Sequence, residues 1–129
     1  MDWEIFFLEA AEVFDAHRPY AGDTGPSSWC SWTTYRRLQE DAGYWTAPLP
    51  NRSEVGDLGI LDGGTWGQPF LYEDLAHIVI PRKFYWEKIA PEGFKSNTEV
   101  QPIEVLSKQL DLRTIPHRLT NLLLEIKLY

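Results

Sequence analysis

One cysteine, Cys30, stands in 129 residues. A lone thiol excludes an intramolecular disulfide framework and favours a reducing compartment. Long apolar runs are also missing. Near the N-terminus the longest is Ile5-Phe6-Phe7-Leu8, far short of a membrane span. The opening Met1-Asp2-Trp3-Glu4 is acidic where a secretory signal would be basic. A cytoplasmic location without membrane association is therefore expected.

Basic residues are scarce in the first part of the chain. Residues 1–80 hold 13 acidic and 4 basic side chains, residues 81–129 hold 6 and 8, and the net charge is −7. A nucleic-acid-binding domain shows a basic stripe, and an acidic surface repels phosphate and attracts basic partners. The expected partner is a basic protein rather than nucleic acid.

Catalytic and ligand-binding signatures are absent too. Asp62-Gly63-Gly64 invites a phosphate-loop reading, but no Lys-Ser/Thr follows and no G-x-G-x-x-G occurs. The glycines serve a tight turn instead. His17, His77, His117 and Cys30 are too scattered for a zinc site, so neither metal nor cofactor is expected. A Cys30 nucleophile would need an oriented imidazole within hydrogen-bond reach. No signature surrounds it in Ser28-Trp29-Cys30-Ser31-Trp32, and it reads as a small buried hydrophobe. His77 reads as a hydrogen-bonded structural residue, and the pairs Glu40-Asp41 and Glu73-Asp74 as solvated charge. There is no internal repeat, heptad run or low-complexity segment.

Aromatic rings are abundant. Six Trp, six Tyr and six Phe make 14% of the chain, too many for one small core to hide with ease. The length bounds a single domain over 1–129. Residues 2–17 predict a helix whose face is Trp3, Phe6, Phe7, Ala10, Val13 and Phe14. After a loop at 19–28, a second helix is expected over 31–42, with Trp32, Tyr35 and Leu38 inward and Gly43 at its C-terminal end. Tyr44 and Trp45 suggest a short strand. Residues 46–69 read as a packed, ordered loop with a short strand near 59–61.

The strand signals come later. Residues 76–80 form a β-branched run expected to be buried on both faces. Pro81-Arg82-Lys83 breaks it, and 84–87 reads as a second strand. Residues 89–98 read as loop, followed by a helix over 99–111 capped by Asn97 or Thr98, with Ile103, Leu106 and Leu110 inward. Residues 122–128 alternate as a terminal strand. The expected fold is α+β, about three helices on a small mixed or antiparallel sheet. Its central strands would be 76–80, 84–87 and 122–128, so the fold would rest mainly on 75–129 and the function on what 20–74 presents to solvent.

Within that region Trp29, Tyr44, Trp45 and Trp66 lie in or beside irregular segments, mixed with Asp23, Glu54, Asp57 and Asp62 and followed by Glu73 and Asp74. Aromatic anchors in an acidic rim suit the capture of a basic partner. The same rings could instead fold inward and staple the loop. The expected function is a small binding protein, concretely an immunity or inhibitor protein capping a basic toxin such as a nuclease. The general character resembles that group, although no motif specific to such a family is present. The alternatives are a small enzyme with a Cys/His or His/carboxylate site, and a phage- or mobile-element-encoded accessory protein that self-associates.

Overall fold

The computed structural model describes residues 2–16, 28–61 and 65–129. Helix α1 spans Asp2–Ala16 and is followed by strand β1, Cys30–Thr34, and the short helix α2, Tyr35–Gln39. Next come β2 at Trp45–Ala47, β3 at Gly59–Ile60, β4 at Phe70–Leu71 and β5 at Leu75–Pro81. Strands β6, Lys83–Ala90, and β7, Gly93–Val100, precede helix α3, Ile103–Leu112. The chain finishes with β8, Arg118–Leu119, and β9, Leu123–Lys127. Single 3-10 turns sit at Arg52–Glu54 and Tyr72–Asp74.

The fold is α+β. Five strands form one sheet in the order β2-β1-β5-β9-β8, with every pairing antiparallel. The register sets the two faces. Trp32 lies opposite Ile78, and Ile78 opposite Ile126, on one side. Ser31, Val79 and Glu125 share the other. Helices α1 and α3 contribute to the core on the first side.

Helix α1 forms as its periodicity predicts, and Trp3, Phe6, Phe7, Ala10, Val13 and Phe14 are all buried. Helix α3 buries Ile103, Leu106 and Leu110 in the same core. Each such side chain stabilises the fold by about 2–3 kcal/mol. Arg113 pairs with Glu9 at 3.1 Å and ties the two helices together.

Four expectations are corrected. The segment read as a helix over 31–42 begins as strand β1, and only Tyr35–Gln39 is helical. Trp32 is buried, but Tyr35 and Leu38 are exposed, so the three-residue spacing did not mark an inward helical face. Thr33 and Thr34 favour the pleated surface, and Thr34 then caps α2 by accepting from the Arg37 N–H. Second, residues 89–98 are no loop. Pro91 and Glu92 form a two-residue turn joining β6 to β7, with Gly93 at φ +122°. Third, α3 starts at Ile103 rather than 99, because residues 99 and 100 belong to β7; its N-cap is Pro102, not Asn97 or Thr98. Fourth, 84–87 is not a central strand. It lies in a separate two-stranded sheet, and its place in the main sheet is taken by β1, which pairs with both β2 and β5. The sheet thus draws on both parts of the chain.

The hairpin leaves the body after Arg82 and returns at Gln101. The buried Gln101 amide accepts from the Trp29 N–H at 2.9 Å and donates to the carbonyls of Trp29 at 3.0 Å and Pro81 at 2.8 Å. Its own N–H reaches the Arg82 carbonyl at 2.7 Å, while the Arg82 N–H reaches the Leu122 carbonyl at 2.8 Å. Trp29 stacks on the buried Phe84 at 6.2 Å between ring centroids. Gln101→Leu removes the amide while keeping volume and strands three backbone groups. Urea unfolding should show a loss of about 2–4 kcal/mol. Gln101→Glu, which lacks a donor when ionised, should not restore it at neutral pH.

Candidate protein-binding surface

Residues 54–61 and 65–74 build a small platform beside the sheet. Ile60 pairs with Phe70 and Gly59 with Leu71 across β3 and β4. Ile60 and Phe70 join the core, whereas Leu71 stays exposed. Gly59 is required here, since a Cβ would fall 2.1 Å from the Phe70 carbonyl oxygen. The Tyr72 hydroxyl donates to the Gly56 carbonyl at 2.6 Å, and the Tyr72 N–H to the Leu58 carbonyl at 2.9 Å. These bonds fix the 56–58 turn to the start of β5.

Glu54 is buried beneath this turn. Its carboxylate accepts from the Asn51 N–H at 3.0 Å, the Thr65 hydroxyl at 2.8 Å and the Thr65 N–H. Trp66 is buried as well, stacked on Trp32 at 3.9 Å with planes 5° apart, its indole donating to the Pro48 carbonyl at 2.9 Å. Glu54 and Trp66 therefore offer no surface to a partner; they hold the 46–69 segment onto the core.

The other expected residues divide. Trp45 is half-buried against Trp32 and Phe70, and the Arg37 guanidinium covers its ring at 3.8 Å. Trp29 is half-buried at the hairpin base. Asp57, Glu73 and Asp74 are exposed on the platform. Asp23 and Asp62, like His17, Gly63 and Gly64, lie outside the described residues.

Three leucines outside the expected interface residues complete the surface, Leu58 and Leu61 having been read only as signs of an ordered loop. Leu58, Leu61 and Leu71 are 71%, 50% and 46% exposed. They line one shallow hollow with Asp57 and Pro69. A second groove of about 590 Å³ shares Pro69, Phe70 and Leu71 and runs past Tyr35, Arg36 and Asp74. The nearby cation Arg36 is paired with Glu40 at 3.2 Å. The result is an apolar strip with carboxylates along it, held on a rigid backbone. The signal for it was present in the sequence as leucines flanked by Gly and Asp in a segment too apolar for disorder.

The titratable clusters were tested for chemistry. Cys30 is fully buried and burial pushes its thiol pKa far up, away from the thiolate that a nucleophile needs. His77 lies between Tyr44 and Glu125 on the outer sheet face. Its Nε2 sits 3.1 Å from the Glu125 carboxylate, a charge contact rather than an aligned hydrogen bond, and its Nδ1 is 2.5 Å from the Tyr44 hydroxyl. A carboxylate at Nε2 favours the proton there, so Nδ1 accepts from Tyr44. Burial, then Tyr129 and Glu125, push the Tyr44 phenol above its ordinary pKa, which is the opposite of activation. His117 takes a hydroxyl from Ser107 at 2.7 Å at Nε2 and faces the Ile115 carbonyl at 2.8 Å with Nδ1. Ser107 is buried on α3, so this contact ties the segment after α3 back to the helix. Among the described residues no group of three or more His, Cys, Asp or Glu side chains could hold a metal ion, and no helix is long and apolar enough to cross a membrane.

The platform has its own pH signature. Burial, followed by Glu4 and Asp57, pushes the Tyr72 phenol up to about 12. The native state holds this proton more tightly than the unfolded chain, whose tyrosines titrate near 10. The associated stability is intact below pH ~10 and lost as pH rises toward ~12. Tyr72→Phe should flatten that alkaline decline in pH-dependent urea unfolding and cost about 1–2 kcal/mol at neutral pH by freeing the Gly56 carbonyl.

No protein-family model matches this chain, and neither the curated proteins nor the solved structures contain a match to it.

Proposed function

We propose that this chain is a small acidic cytoplasmic binding protein that captures a basic protein partner, in concrete form an immunity or inhibitor protein that caps a toxin such as a basic nuclease. The observation that carries this reading is the platform, where Leu58, Leu61 and Leu71 are exposed together and Asp57, Glu73 and Asp74 flank them. Exposed apolar contacts supply the short-range attraction. The carboxylates steer a basic partner and reject an acidic one. The acidic balance of residues 1–80 extends the same field. A single buried cysteine accords with a reducing compartment.

Capture of this kind is fast and salt-sensitive. The test is co-purification of the tagged chain from its host, and co-expression with the products of neighbouring genes. A basic protein should be retained at low ionic strength. The variant Asp57→Lys/Glu73→Lys/Asp74→Lys should slow association roughly 10- to 100-fold and flatten its salt dependence. Leu58→Ser with Leu71→Ser should instead speed dissociation. Retention of no basic protein, or of one indifferent to both sets of changes, sinks the reading.

A further inference from the structure

Beyond the platform, the β6–β7 hairpin exposes a second set of large apolar side chains. Its strands pair over their full length, eight residues each, and neither pairs with a further strand among the described residues. A two-stranded ribbon is marginal by itself, and its open edges are templates for another strand. Directly paired residues share a face, so Tyr85, Ile89, Phe94 and Val100 lie together. Ile89, Phe94 and Val100 are 88%, 63% and 64% exposed.

We propose that this hairpin is a dimerisation arm, in which β7 pairs antiparallel with β7 of a second copy about a two-fold axis at Asn97. The backbone restricts the register. Ala90 and Gly93 flank the two-residue turn and form a hydrogen-bonded pair, so Gly93, Lys95, Asn97 and Glu99 turn their N–H and C=O groups toward β6. Phe94, Ser96, Thr98 and Val100 turn theirs outward. An edge that pairs with itself must align these outward residues with one another, which leaves registers centred on 96, 97 or 98.

Sequence decides among the three. Centring on Asn97 puts Phe94 opposite Val100 of the second copy, Lys95 opposite Glu99 and Ser96 opposite Thr98, each twice by symmetry. Apolar meets apolar, lysine meets glutamate, and hydroxyl meets hydroxyl. Centring on 96 sets Phe94 against Thr98 and Lys95 against Asn97; centring on 98 sets Glu99 against Asn97. Neither makes an opposite-charge pair. The edge of β6 is a poorer self-partner. Its Lys83–Glu87 complement engages only residues 83–87 near the body, whereas the β7 register uses the arm from 94 to 100. In the resulting four-stranded sheet Ile89 and Phe94 of one copy continue in line with Val100 of the other, covering side chains that are exposed in the monomer. This self-complementarity singles out a second copy over an unrelated strand.

The charge pair supplies the test. Sedimentation equilibrium of the wild-type protein at micromolar concentration should give twice the 15.0 kDa chain mass. Lys95→Glu and Glu99→Lys should each weaken the dimer roughly tenfold or more by opposing like charges at two positions. The double variant should restore it. Lys95 is in register with Lys88 in its own hairpin, where Lys95→Glu replaces a like-charge pair with an opposite one, and circular dichroism checks that the arm keeps its fold. Asn97→Cys should oxidise to a disulfide-linked dimer, with the buried Cys30 taking no part. A monomer up to high-micromolar concentration overturns the proposal. So does a dimer indifferent to both single charge variants, or one that the double variant leaves broken. The platform reading uses other residues and a different partner, so it survives or fails on its own test.

Discussion

The departure of the β6–β7 hairpin from the main sheet depends on Gln101, whose buried side-chain amide bridges Trp29 and Pro81. Strands β1 and β5 lie at or before the end of the acidic part, β9 lies in the remainder, and the hairpin interrupts the chain just after β5. At that junction the Trp29 N–H, the Trp29 carbonyl and the Pro81 carbonyl are all met by the Gln101 side chain. The Gln101 amide supplies one donor nitrogen and one acceptor oxygen in the spacing of a peptide group, so it substitutes for a ladder residue. Buried backbone groups left unpaired cost more than a made bond returns. One side chain therefore lets an eighteen-residue hairpin leave the sheet without exposing the end of β1.

That junction also explains which parts of the fold were legible. Helix α1, the strand expected at 76–80 and the terminal strand were readable from a 3.6 period, a β-branched run and alternation, although β5 is not buried on both faces as expected: Leu75, Ala76, Ile78 and Ile80 are buried while His77 and Val79 are only half-buried. β1 was not readable. Trp32, Tyr35 and Leu38 mimic a helical stripe, and the turn from strand to helix at Thr34 falls inside it. Only the tertiary pairing of Trp32 with Ile78 and Trp45 separates the two readings. The hairpin was half read, its first strand at 84–87 and its second taken as loop, because Pro91, Glu92 and Gly93 mark a break in both a loop and a tight turn.

The candidate surface was half legible on the same grounds. Asp57, Glu73 and Asp74 are exposed, as charge placed them. Glu54 looked identical in sequence, yet it is buried because Asn51 and Thr65 lie where they can satisfy its carboxylate. The tryptophans ran the other way. Trp66 sits in a glycine-rich stretch and is nevertheless stacked flat on Trp32, with Phe7 and Phe70 meeting it edge-on. Aromatic abundance here is a means of packing irregular backbone, which lacks a regular apolar stripe of its own. Wide rigid rings fill that space with few torsions to order.

Two exposed apolar surfaces on one small domain raise the question of why they do not compete. Their construction differs. The leucines of the platform stand on backbone pinned at Gly56, Leu58 and Glu54, above a packed core, so the surface is rigid before it meets anything. The hairpin is pinned at its base through Phe84, Trp29 and Gln101, and its two strands pair with each other and with no further strand among the described residues. A rigid acidic strip selects by charge and shape, with little ordering cost on binding. A ribbon with open edges selects by backbone register. The side chains follow the same division: carboxylates flank the leucines, while lysine and glutamate alternate with apolar residues along the arm. An acidic strip repels its own copy and is suited to an unlike partner. An arm whose charges complement themselves is suited to a like one, so the two proposed contacts draw on different partners and need not compete.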